Sequence, residues 1–201
     1  MPLENEYEKI AWSNNELVMG IDEAGRGPLC GPLTVGACVL PLNYENELIN
    51  DSKKLSEKKR ESLYEIIVKD ALWYVVKIIS PKTIDELNIL EATRCGMLEL
   101  SQEYAVSKVL TDAVKLNTLD NIPIIKGDAK SISIAAASIL AKVTRDRIMM
   151  EYDKLYPEYE YAKHKGYPTK RHLELMNEYG VFDIYRFSYS PVKNCKKIRN
   201  I

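Results

Sequence analysis

The chain has 201 residues, 46% of them hydrophobic and 28% charged, with 9 Gly, 9 Pro and a formal net charge of −1. This is the length and texture of one globular domain, and it excludes a disordered or collagen-like chain. The longest nearly apolar run, Ile132 to Ala141, is broken by Ser133 and Ser138 and is far shorter than the roughly 20 residues that span a bilayer.

The amino-terminal stretch MPLENEYEKIAWSNNE carries four Glu and no apolar run, so it does not resemble a secretory leader, and a cytoplasmic protein without membrane association is expected. Leu17 to Ala24 reads as a strand, Gly25 to Pro28 as a tight turn and Thr34 to Leu40 as a second strand, a hairpin-like start. Ser56 suits the N-cap of a helix running to about Asp70, with Leu63, Ile66 and Ile67 at helical spacing, and the β-branched Trp73 to Ile79 follows as a strand. Asn88 and Glu91 resemble a capping box before a helix to about Tyr104, and Lys108 to Thr111 and Ile122 to Lys126 are short apolar strands. A long helix is predicted from Ile132 to about Lys154, with Ala135 to Ala137 permitting close packing. Beyond Tyr156 and Pro157 the chain becomes Tyr-rich and basic, with one helix from about Thr169 to Tyr179 stopped by Gly180. Strands that begin as a hairpin and then alternate with helices predict an α/β layer fold on a mixed sheet. The expected organisation is a core over about 17–155 and a small C-terminal helical appendage over about 156–201.

Cys30, Cys38, Cys95 and Cys195 lack CxxC spacing and are expected to be buried thiols rather than disulfides; His164 and His172, eight apart, lack the spacing of a helical zinc pair. The most informative stretch is Gly20 to Pro28. Asp22 and Glu23 end an apolar strand and enter a turn that holds Gly25, Arg26 and Gly27. On a regular strand the two carboxylates face opposite ways, so a shared site is expected to need a break in the pleat there, which Gly25 and Gly27 supply. Glycines admit close approach of backbone N–H groups to a phosphate, and Arg26 adds a charged fork. The glycine spacing, with no Gly-Lys-Ser/Thr after it, fits neither nucleotide-loop fingerprint. Asp112 and Asp128 also follow predicted strands, so four carboxylates, Asp22, Glu23, Asp112 and Asp128, are expected to meet at one sheet edge. Each alone suits a turn or cap, but a convergence of four repels itself unless cations hold it. Oxygen ligands select Mg²⁺ or Mn²⁺, and a pair of such ions suits phosphodiester chemistry.

Charge is unevenly placed: residues 1–122 hold 13 Lys and Arg against 20 Asp and Glu, and residues 123–201 hold 15 against 9. Lys126, Lys130, Lys142, Arg145, Arg147, Lys163, Lys165, Lys170, Arg171, Lys193, Lys196, Lys197 and Arg199 are candidates for a surface that meets nucleic-acid phosphates.

Five blocks, GIDEAGRGPLCGP at 20–32, DSKKLS at 51–56, IDELNIL at 84–90, KGDAKSISIAAASILAKVTRDRIM at 126–149 and HKGYPTKRHLE at 164–174, resemble the bacterial-type ribonuclease HII family. The resemblance covers nearly the whole chain after about residue 17. It implies an RNase H-like fold and a metal-dependent endonuclease that cuts RNA in RNA–DNA hybrids and at single ribonucleotides in duplex DNA. The implied cut lies on the 5′ side of the RNA-to-DNA junction and leaves 5′-phosphate and 3′-hydroxyl ends. It further implies that Asp22, Glu23, Asp112 and Asp128 are catalytic carboxylates binding two Mg²⁺ or Mn²⁺ ions, that Gly25, Arg26 and Gly27 read the ribose 2′-hydroxyl through backbone groups, and that Tyr167 senses the junction. Lys53, Lys54, Ser138 and Lys142 match positions near the substrate phosphates, and a monomer is expected. Two departures stand out: Ala113 and Val114 follow Asp112 where many members have Gly-Asn, and the C-terminal block reads YRFSYSPVK. The alternatives are a ribonuclease HIII-like enzyme, which carries an extra amino-terminal domain where this chain has only about 17 residues before its first strand, and a non-catalytic nucleic-acid-binding relative.

Overall fold

The computed structural model describes residues 3–49, 55–118 and 120–199. Five strands, β1 (Val18–Ala24), β2 (Leu33–Val39), β3 (Trp73–Ile79), β4 (Lys108–Asp112) and β5 (Asn121–Ile124), form one sheet in the order β3-β2-β1-β4-β5. β1 pairs antiparallel with β2, and β2 with β3; β1 pairs parallel with β4, and β4 with β5. The sheet is therefore mixed, as the alternation of elements predicts, and the C-terminal ends of β1, β4 and β5 fall on one edge.

Helices cover both faces. Helix α2 (Glu57–Asp70) and the 24-residue α5 (Ile132–Leu155) lie on one side, where Leu63 and Ile67 pack with Ala135, Ala136, Ile139 and Leu140. Helices α3 (Pro81–Leu87) and α4 (Ile89–Leu100) lie on the other, where Ile84, Met97 and Leu100 meet Met19, Ile21 and Val35. Close packing of α5 depends on missing side chains: a Cβ at Gly20 would stand 2.1 Å from the Ser133 backbone. Alternation along β1 then decides where the carboxylates go. Asp22 shares the α5 face with Gly20, whereas Glu23 shares the α4 face with Met19 and Ile21.

Capping reproduces the predicted helix starts. Ser56 Oγ accepts from Lys59 N–H at 3.3 Å, and Asn88 Oδ1 accepts from Leu90 and Glu91 at 3.0 and 3.1 Å. The capping box at Asn88 is only half formed, because the Glu91 carboxylate pairs with Arg94 instead of turning back. That helix also ends at Leu100, a turn earlier than the predicted Tyr104.

Sequence reasoning missed two helices of the core and two short ones of the C-terminal segment, Tyr161–His164 and Ser190–Lys193. Helix α1 (Glu6–Ser13) buries Ala11 and Trp12 and caps α5: Asn5 Oδ1 accepts from Ile132 N–H at 2.8 Å, and Glu8 Oε1 from Ser133 N–H at 3.1 Å. Helix α3 starts at Ser80 with Pro81 at its first position, a start signal present in the sequence.

The C-terminal segment forms a third apolar cluster of Tyr159, Tyr161, Met176, Phe182 and Tyr185 around Leu29 and Cys30, carried by α6 (Tyr161–His164), α7 (Lys170–Tyr179) and α8 (Ser190–Lys193). Thr169 Oγ1 caps α7 by accepting from His172 N–H at 3.1 Å, and Gly180 ends it. All four cysteines are free thiols; Cys30 and Cys38 are buried, whereas Cys95 and Cys195 are only partly covered, contrary to expectation. No helix among the described residues is long and apolar enough to cross a membrane.

Candidate active site

Register delivers the carboxylates to one place. Ile21 pairs with Thr111, which sets Asp22 beside Asp112, and Asp112 pairs with Ile124 at the end of β5, from which Lys126 and Gly127 lead to Asp128. Asp22, Asp112 and Asp128 each offer an oxygen within 4.8 Å of the other two. Glu23 stands outside that triad but lines the same cleft of about 210 Å³, with Gly25, Arg26, Gly27, Ser138, Lys142 and Tyr167. The break in the pleat falls at Gly25, one of the two glycines expected to supply it, and not at Asp22 and Glu23 themselves. Regular pairing continues to Ala24 opposite Thr34, and the left-handed turn begins at Gly25, with φ of 101°. Both carboxylates still reach the cleft because they sit at the strand's end, where its two faces open onto one edge.

Electrostatics at the triad favours a cation. Asp22 is 3% exposed; burial first, then the charges of Glu23 and Asp112, push its carboxyl well above the usual range, against hydrogen bonds from Ser138 and the Glu23 N–H. Asp112 is oriented by Gly127 N–H, which donates to its Oδ1 at 2.8 Å. Buried carboxylates with only oxygen donors suit a hard divalent ion. Ala113, directly after Asp112, has φ of 56°, the left-handed backbone that glycine adopts without penalty. The Gly-to-Ala departure therefore falls where a side chain is strained.

Around the triad, Lys142 Nζ is held by Asp146 Oδ1 at 2.6 Å, and Asp146 in turn lies 3.8 Å from Arg60 of α2. Burial lowers the Lys142 pKa from its ordinary value, with Asp146 opposing. Tyr167 is exposed on the far wall, its ring 3.6 Å from where a Cβ on Gly27 would stand and 5.9 Å from the guanidinium carbon of Arg145. Its backbone is pinned: Tyr167 N–H donates to His164 O at 2.8 Å, and His172 Nδ1 lies 2.9 Å from Tyr167 O. His164 and His172 are buried and stack with ring centroids 4.1 Å apart. Lys53 and Lys54 lie outside the described residues.

The predicted basic surface is only partly realised. Arg145 is completely buried and donates to the carbonyls of Cys30, Pro32 and Lys165. Arg147 pairs with Glu61 and Glu65, Lys163 and Arg171 with Glu160, and Arg199 with Glu158. Sequence reasoning missed Arg186, which reaches the carbonyls of Gly25, Arg26, Gly31 and Pro32.

A mixed sheet of this order with carboxylates at the shared ends of its parallel strands is an RNase H-like arrangement. The comparisons agree: the ribonuclease HII family model matches residues 19–192. The ribonuclease HII of Francisella tularensis subsp. tularensis (strain SCHU S4 / Schu 4) is 52% identical over 88% of this chain and 97% of its own. The crystal structure of the ribonuclease H2 from Pyrococcus horikoshii OT3 superposes with a TM-score of 0.79 at 30% identity, covering 90% of this chain and 97% of that one. The ribonuclease HII in the PCNA:RNase HII complex from Archaeoglobus fulgidus gives 0.68 at 26% identity, covering 90% and 98%. The chain belongs to the ribonuclease HII family. It is accordingly a ribonuclease H, an endonuclease acting on the RNA of RNA–DNA hybrids.

Proposed function

We propose that the chain cuts RNA–DNA hybrids and single ribonucleotides embedded in duplex DNA, on the 5′ side of the RNA-to-DNA junction, leaving 5′-phosphate and 3′-hydroxyl ends. The observation that carries this reading is the cleft in which Asp22 and Asp112, each with an oxygen within 4.8 Å of one of Asp128, meet the Gly25–Gly27 loop and Tyr167. Two divalent cations, Mg²⁺ or Mn²⁺, held by Asp22, Glu23, Asp112 and Asp128 would supply an activated water and neutralise charge on the phosphate. The chain's own groups do the selecting. Backbone donors of Gly25, Arg26 and Gly27 face a ribose hydroxyl, and Ser138 fixes the Asp22 carboxyl. Lys142, with Lys53 and Lys54 of the 51–56 block, meets phosphate oxygens without reading sequence. Tyr167 packs on the sugar after the ribonucleotide, where a 2′-hydroxyl would add polar bulk, so deoxyribose is preferred there. The reading places the work in one catalytic domain, a core over about 17–155 with its appendage, acting as a monomer in the cytoplasm.

Tyr167→Ala tests it. Turnover on a duplex with one ribonucleotide should fall much more than turnover on a continuous RNA–DNA hybrid, and Tyr167→Phe should lose less, because stacking outweighs the hydroxyl. Equal losses on both substrates would remove Tyr167 as the junction sensor.

A further inference from the structure

Arg186 is 0% exposed, yet its guanidinium takes part in no ion pair among the described residues. Burying an uncompensated cation is costly, so the groups it holds are informative. Every one of its contacts is to a carbonyl or to Tyr189. Nη2 donates to Gly25 O at 2.7 Å and reaches Gly31 O and Pro32 O at 3.0 and 3.1 Å, while Nη1 donates to Arg26 O and Tyr189 Oη, both at 3.1 Å. Tyr189 Oη, accepting from Arg186, donates in turn to Arg26 O at 2.7 Å.

These bonds fix the direction of the loop's donors. The carbonyl of Gly25 belongs to the same peptide unit as the N–H of Arg26, and the carbonyl of Arg26 to that of Gly27. No peptide bond in the described chain is cis, and in a trans unit the C=O and N–H point opposite ways. Drawing both carbonyls inward therefore turns both N–H groups outward. Arg26 and Gly27 are exposed and line the cleft, and neither N–H has a hydrogen-bond partner among the described residues.

We propose that Arg186 and Tyr189, both from the C-terminal appendage, are positioning residues for ribonucleotide recognition, aiming the Arg26 and Gly27 N–H groups into the cleft as a paired donor for a ribose hydroxyl. This rests on the reading of the cleft given above. Arg145 strengthens the assignment, because its Nε shares the Pro32 carbonyl with Arg186. Two buried cations thus lie beneath the loop and share its carbonyls. The segment that carries Arg186 is itself tied down from the opposite side of the fold: Asp85 of α3 accepts from Phe187 N–H at 2.8 Å and Ser188 N–H at 2.9 Å.

The test compares wild type with Tyr189→Phe, Arg186→Lys and Asp85→Ala in three readouts: kcat/KM on a duplex with one ribonucleotide, the inhibition constant of an all-DNA duplex of the same sequence, and the thermal midpoint. Tyr189→Phe deletes the hydrogen bond donated to Arg26 O and the one accepted from Arg186, so kcat/KM should fall about threefold to tenfold. The all-DNA inhibition constant should move much less, and the thermal midpoint should stay near that of wild type. Arg186→Lys keeps charge but loses the fork and should fall further; Asp85→Ala, remote from the cleft, should move the same ratio in the same direction. Parallel changes in kcat/KM and in all-DNA inhibition, or unchanged kcat/KM in a folded Tyr189→Phe, would overturn the assignment, whether or not Arg186→Lys folds. Failure of wild type to cut the one-ribonucleotide duplex would instead overturn the underlying reading, and this inference with it.

Discussion

Asp22 is buried among like charges, and its surroundings work against its ionisation. A carboxyl whose folded-state pKa lies above its unfolded value costs stability at every pH above that unfolded value. Asp22→Asn should therefore raise the thermal midpoint of the metal-free protein, by about 2–4 °C for each kcal/mol of relief, while lowering turnover about 100-fold or more. Scanning calorimetry with chelator present, set beside activity with Mg²⁺, checks both; a fall in midpoint would show that Asp22 supports the fold. At the neighbouring strand end, Ala113 occupies a left-handed backbone position that costs a side chain roughly 1 kcal/mol or more. Ala113→Gly relieves that strain but adds unfolded-state entropy worth about 0.4–1 kcal/mol, so its net effect is expected between neutral and about 1 kcal/mol stabilising, read as a shift in denaturation midpoint. The aspartates were legible in the sequence because strand ends place them, and register does the rest. Arg186 was not legible, because the carbonyls it holds lie 154 to 161 positions away and carry no side-chain signature.

Individual elements were read where a local rule determines them: the N-cap Ser56, the start of α7 near Thr169, the strands β1 and β2, and the Ala135–Ala137 stretch of α5, where Ala137 lies against Gly36. Helix α1 escaped because it is short and polar and is held by what it does for α5, a contact no local pattern announces. The loop from α6 to α7 carries the pH sensitivity of the appendage. Burial, and then the neighbouring His164, depress the His172 pKa to about 4, and burial lowers that of His164. His172 Nδ1 donates to Tyr167 O, which leaves Nε2 to accept from the Tyr185 hydroxyl at 3.1 Å, with Cys30 Sγ 3.9 Å away. The folded state thus resists a proton that the unfolded chain takes up near pH 6.5. Stability is complete above that value and declines as pH falls from about 6.5 towards 4. Amide exchange of residues 164–172 at pH 7 and pH 5 should show faster opening at the lower pH, and a His172→Gln variant should flatten the difference. Equal protection at both pH values would contradict the neutral pair.

Over the whole molecule, the basic excess of the last third is not one continuous surface. Much of it is paired with Glu61, Glu158 and Glu160, while Arg145 and Arg186 are interior cations supporting the Gly25–Gly27 loop. Lys126, Lys130, Lys170, Lys193, Lys196 and Lys197 have no ion pair among the described residues. With Lys142, Lys53 and Lys54 as the proposed phosphate contacts, the logarithm of the duplex binding constant should fall with the logarithm of salt concentration with a slope of roughly −3, each contact contributing about −0.9. A salt-independent binding constant would remove the phosphate contacts from the account. The central claim is that the carboxylate triad and the loop act together on a ribonucleotide, and its most direct test is a nucleotide-resolution map of cleavage. The substrate is a duplex with one embedded ribonucleotide beside the same duplex in all-DNA form, with Mg²⁺ or Mn²⁺ and then with chelator. A single cut on the 5′ side of the junction, with 5′-phosphate and 3′-hydroxyl ends, absent from the all-DNA duplex, from the chelated reaction and from Asp128→Asn, is the predicted result; cleavage that survives chelation, cuts the all-DNA duplex equally, or leaves 2′,3′-cyclic phosphates would contradict it.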